Sequence, residues 1–179
     1  MSDDDARHDR PIRDLSTWTV DRLEAFTTAQ QGHELERIRV VAQSHAYRSD
    51  EPKQTRLRWA ALALNANERF PGDAPWSHDR KICQNFALRT WVIDQLGPAT
   101  GSTWDPEALA ADTLAALTLD PGQVVALSAR WRGLPIERIG DLRRHKNRTA
   151  HLDRLLDHLP PGPDRDRLVA WSEVREHLP

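Results

Sequence analysis

Apolar residues recur along this chain in steps of three and four, the spacing that gathers side chains on one face of a helix. Val20, Leu23, Phe26 and Thr27 open such a stripe, and Leu35, Ile38, Val41, Ala42 and His45 continue it. Thr19 precedes the stripe as an N-cap, because a hydroxyl there accepts an otherwise unpaired amide of the first turn. The middle of this stretch, TTAQQGHE, is polar and contains Gly32, so the pattern allows one long helix with a weak centre, or two. A break follows at RSDEP, residues 48–52. Leu57, Ala60, Ala61, Leu64 and Phe70 then predict a helix from about Gln54 to Phe70, stopped by Pro71-Gly72. Ile82, Phe86, Ile93 and Leu96 predict the next, from about Asp79 to Leu96, ended by Gly97-Pro98.

Two later helices have matching starts. Asp105-Pro106 and Asp120-Pro121 each set a capping carboxylate before a proline, which wastes no N–H at the first helical position. They predict helices over Pro106–Leu117 and Pro121–Trp131. Ile136, Ile139 and Leu142 begin another short helix, and Leu152, Leu155, Leu156 and Leu159 a leucine-rich one. PPGP at 160–163 separates it from a last helix carrying Leu168, Trp171, Val174 and Leu178. With no strand alternation and no repeat, the expected fold is all-α, a compact bundle of about seven helices.

Composition agrees. Leu and Ala number 21 each against 14 Val plus Ile, a balance that favours helices over strands. A length of 179 residues fits one domain, or two very small ones. Seven tryptophans, at 18, 59, 76, 91, 104, 131 and 171, are scattered, as anchors of helix junctions in one core would be. A single cysteine excludes a disulfide framework and a cysteine-based zinc finger. No apolar run approaches the roughly 18 residues of a membrane span. Residues 1–14 read as a polar, disordered tail without the apolar stretch of a signal peptide, so the cytoplasm is the expected location.

Candidate chemistry is sparse. Cys83 lies beside Arg80 and Lys81, whose charges would favour a thiolate, but Cys83, Ala87 and Trp91 at i, i+4 and i+8 read as a core stripe. His145, His151 and His158 lie close in sequence, but His151 and His158 are seven apart with no carboxylate at i+3 or i+4 to complete a helical metal site, and all three read as solvated surface residues. No phosphate-binding glycine loop, dinucleotide motif or nucleophile elbow occurs, so no specific reason to propose an enzyme or a cofactor remains.

Charge is the stronger signal. Residues 128–159 carry eight cations and four anions, whereas residues 71–127 carry three cations and seven anions. The net charge of −2 therefore hides a polarised chain. A basic stripe is the footprint of a phosphate-binding surface, or else a solvated helix face or an internal match for the acidic segment.

The basic segment also has a recognisable order of parts. Residues 119–150, LDPGQVVALSARWRGLPIERIGDLRRHKNRTA, resemble the LuxR-type and sigma-region-4 helix-turn-helix families at Leu119, Pro121, Leu127, Gly133, Leu134, Ile139, Gly140, Thr149 and Ala150. Where those families place apolar residues before the recognition helix, this chain has Arg143, Arg144 and His145. The resemblance implies a recognition helix starting at Lys146, Asn147, Arg148 and His151 and facing the major groove, with Trp131, Ile139 and Leu152 in the core. On this reading Arg143, Arg144, Lys146 and Arg148 meet phosphates, while Asn147 and His151 read bases. Residues 119–179 would bind duplex DNA, and residues 15–118 would dimerise or hold a partner, making the chain a small regulator. The alternative is a helical protein-interaction or accessory module without catalysis.

Overall fold

The computed structural model describes residues 14–71 and 75–178. Most of the expected tail, Gly72 of the expected stop and the Trp76 side chain lie outside the described residues. Among the described residues there are nine α-helices and no strand, so the all-α reading holds, with two helices more than expected. In chain order they are α1 (Val20–Thr27), α2 (His33–Ala46), α3 (Lys53–Arg69), α4 (Pro75–Leu96), α5 (Pro106–Ala116), α6 (Pro121–Ser128), α7 (Ile136–Arg148), α8 (Leu152–Leu156) and α9 (Pro163–Arg175). Short 3-10 turns at Leu15–Thr17 and Trp131–Gly133 precede α1 and α7.

The predicted caps form. Thr19 Oγ1 accepts from Arg22 N, and the Asp105 carboxylate from Glu107 N at 2.9 Å. Asp120 and Gln123 close a reciprocal capping box at the start of α6. The weak centre near Gly32 is a full break. Gly32 adopts φ 57°, ψ −138°, a conformation that excludes side chains, and α2 starts after it.

Two apolar cores share α4. The first gathers Leu23, Leu35, Ile38, Trp59 and Leu64 from α1–α3 against Leu88, Val92 and Leu96 of α4. The second gathers Leu109, Val124, Leu142, Leu152, Leu168 and Trp171 from α5–α9 against Phe86 and Ile93 of α4. Two faces of one helix thus serve two clusters. The expected stripe Cys83–Ala87–Trp91 is therefore corrected: Ala87 is exposed and Cys83 and Trp91 only half-buried, because the buried faces run through 86 and 93 and through 88, 92 and 96.

Around the basic segment the architecture departs from the helix-turn-helix order. α7 runs unbroken from Ile136 to Arg148, through the place where the resemblance implies a turn. The stretch DLRRHKN contains no proline or glycine to interrupt it, and Leu142 and His145, three apart, both bury on its inner side. Lys146, Asn147 and Arg148 are thus the last turn of α7, and His151 is the N-cap of α8.

Candidate functional site

The six residues singled out in the basic segment do not share one face. Arg143, Arg144, Lys146 and Asn147 are exposed on α7. Arg144 pairs with Asp141, three residues earlier. Lys146 Nζ donates to the Leu178 carbonyl at 2.8 Å, tying α7 to the end of the chain. Arg143 and Asn147 have no side-chain partner among the described residues. Arg148 turns inward: its Nε donates to Asp79 Oδ1 of α4 at 2.7 Å, Nη1 donates to the Ala116 carbonyl, and both side chains of the ion pair are largely buried. His151 is buried between α5 and α4, with Nε2 3.1 Å from Thr113 Oγ1 and its ring 5.1 Å from Phe86.

The expectation of solvated histidines is corrected at two positions. His145 is 2% exposed and stacks on Trp171 with ring centroids 5.4 Å apart. Its Nδ1–H donates to the Asp141 carbonyl at 2.7 Å, and Nε2 accepts the backbone N–H groups of Thr118 and Leu119, each at 3.2 Å. A neutral ring thereby pins the α5–α6 linker to α7. Burial is the first cause of its lowered pKa. His151 is held down further, to about 4, again by burial. Thr113 spends its one hydroxyl hydrogen on the Leu109 carbonyl, so its oxygen accepts from His151 Nε2–H. His158 lies nearer the surface, 3.5 Å from Asp94.

On the outside, large hydrophobics and arginines are exposed along α6, the 3-10 turn and the start of α7. Val125, Trp131 and Ile136 are large hydrophobics left exposed within twelve residues, and Ile136 is 79% exposed. Placing Trp131 in the core is thereby corrected, while Leu152 is buried and Ile139 half-buried. The reason is local. α6 buries Val124 and Ser128, which turns its neighbour Val125 outward. Pro135 caps α7 and sets Ile136 at its first position, six residues before the buried Leu142 and about 120° round the helix from it. Arg130, Arg132, Arg138 and Arg143, from the same stretch of chain, are all exposed, with the Arg132 guanidinium 5.7 Å from the Trp131 ring centre. Sequence reasoning counted Ile136 in an apolar stripe and missed it. The available signal was its position directly after a proline, at the first residue of the helix.

Among the described residues, no three His, Cys, Asp or Glu side chains group closely enough to hold a metal ion, and no helix is long and apolar enough to cross a membrane. The Cys83 thiol is pushed up to about 11, chiefly by burial and then by Asp79, away from the thiolate form. Compared with known proteins, the chain matches no family model, no curated protein and no solved structure.

Proposed function

We propose that the chain is a protein-interaction module whose docking face is the exposed corner formed by α6, the Trp131 turn and the start of α7. The observation that carries this reading is Ile136, an aliphatic side chain at 79% exposure, five residues after exposed Trp131 in a stretch of exposed arginines. Exposed aromatic, aliphatic and arginine side chains together are the composition of interaction hot spots. Charge complementarity supplies the partner's chemistry. Between 130 and 144 the chain carries five arginines against Glu137 and Asp141, and Asp141 is already engaged by Arg138 and Arg144. The occupant is a protein segment bearing acidic residues around an apolar anchor.

Duplex DNA is the weaker reading of the same face. Phosphates gain nothing from Ile136 or Val125, and two of the six residues assigned to DNA, Arg148 and His151, are spent inside the fold.

Selection of random peptides on the folded full chain, followed by calorimetry of the winning synthetic peptide, tests the proposal. Winning peptides should carry Asp or Glu around an aromatic or aliphatic residue. Trp131→Ala and Ile136→Ser should each weaken binding by about tenfold or more, and Ile136→Ser should do so at unchanged Tm, since that side chain is 79% exposed in the free protein. Peptides without net negative charge, or affinities indifferent to both substitutions, sink the proposal. So does tight salt-dependent binding to a short duplex that fades with Arg143 and Arg144. Self-association lost in Ile136→Ser would make the occupant a second copy instead.

A further inference from the structure

A third side of α4, bordering the second core at Ile82 and Phe86, is not plain surface. His78, Lys81, Ile82, Asn85, Phe86 and Arg89 follow one another in steps of three, one, three, one and three, a single helical face. Together with α3, α5 and the end of α7 they line an open cleft of about 720 Å³. That volume lies within the roughly 300–1,000 Å³ of small-molecule sites.

The floor of this cleft is rich in donors. The Arg89 side chain is 7% exposed, yet its ion-pair partner Asp112, at 2.5 Å, is 58% exposed. A second bond, from Nε to the Thr103 carbonyl at 2.9 Å, fixes the guanidinium plane. Arg148 enters from α7, equally fixed by Asp79 and the Ala116 carbonyl. Among the described residues neither Arg89 Nη2 nor Arg148 Nη2 has an acceptor. Lys81 Nζ uses two of its three hydrogens, on the Glu68 and Phe70 carbonyls at 2.9 and 2.8 Å. Asn85 Oδ1, in the same wall, is buried without a hydrogen bond. Of these only Asn85 Oδ1 is a buried atom without a partner, and as an acceptor it calls for a donor such as a ligand hydroxyl, while the open Nη2 hydrogens of the two arginines are the groups an oxyanion would meet. Ile82 and Phe86 provide an apolar wall between them.

We propose that this cleft binds a small molecule through an oxyanion, a carboxylate or phosphate group, with Arg89 as its anchor and Arg148 and Lys81 as supporting donors. Asp112 is the built-in competitor: its carboxylate occupies one edge of Arg89 from a solvated position, where exchanging it for a ligand oxygen costs little.

Ligand-observed NMR on the full chain, with amino acids, hydroxy and dicarboxylic acids, inorganic phosphate and nucleoside monophosphates at millimolar concentration, provides the test. A carboxylate or a phosphate member should bind, which identifies the source of the oxyanion, and its neutral amide or alcohol analogue should not. Arg89→Gln should weaken binding by about tenfold or more. Asp112→Asn should tighten it, because it frees Arg89. Ala115→Trp, at an exposed position on the cleft wall, should abolish binding while Tm holds, which separates site loss from misfolding. The proposal falls if no oxyanion in the panel binds, if Ala115→Trp leaves binding intact, or if Asp112→Asn weakens binding as Arg89→Gln does.

Discussion

A ring nitrogen that already accepts two backbone N–H groups has no room for a proton, and His145 Nε2 is in that position. His151 is neutral for a related reason, burial against Phe86 and Thr113. Its pKa lies near 4 in the fold, against 6.5 for a free histidine. Below about pH 6.5 the unfolded chain takes up a proton that the fold refuses, so stability is complete above that pH and falls as pH drops towards 4. A shift of this size is worth about 3 kcal/mol at the acid end. The expected outcome is that the His151 ring resonances do not titrate between pH 7 and about 5, and that urea midpoints fall across this window less steeply in His151→Gln than in the wild type. None of this is legible from RRHKNRTAH, where only Ala150 is apolar and nothing in the pattern distinguishes an inward polar residue from an outward one. Both histidines were expected in solvent, and it is partners brought from 26 to 65 residues away that bury them.

At the scale of elements the chain is far more readable, because caps and breakers act within a few residues. Thr19, Asp105 and Asp120 start their helices as their side chains require. Gly32 decides between one helix and two: at φ 57°, ψ −138° it holds a backbone that other residues rarely adopt, with open space around its Cα. Gly32→Ala should therefore destabilise by about 1–3 kcal/mol through backbone strain alone, which thermal unfolding would register as a lower Tm with far-UV circular dichroism unchanged at low temperature. The boundary that stayed hidden is the uninterrupted α7. Its order of proline cap, Gly-Leu turn and isoleucine fits a helix-turn-helix, but a turn at Arg143–His145 needs a residue that releases the helix, and this chain supplies none.

For the molecule as a whole, the polarised charge is partly an internal match. Arg148 of the basic segment closes on Asp79 of the acidic one, and Arg89 on Asp112 within it. Arg148→Ala leaves Asp79 largely buried without its counter-charge, so it should cost about 3 kcal/mol or more, measured by chemical denaturation, whereas Arg143→Ala on the exposed face should change stability by less than about 0.5 kcal/mol. The charge count from the sequence found the polarisation and could not divide it, since one arginine in a run looks like the next until helices bring acids to some of them. The cleft on α4 was hidden for the same reason: its residues are regularly spaced, but their shared face becomes a wall only when α3, α5 and α7 stand around it.

The sharing of α4 between two cores also gives the chain an order of assembly on the ribosome. Every buried residue of the first core lies between Leu15 and Leu96, one contiguous stretch, so its buried set is complete once Leu96 has emerged, with Trp104 packing onto it soon after. The second core needs Phe86 and Ile93 together with residues as late as Leu178. α4 thus stands as a finished edge, with Phe86 and Ile93 waiting, while the last eighty or so residues are still being synthesised. A lesion in α4 would then be inherited by both halves, whereas one in α9 would leave the first core with all its parts.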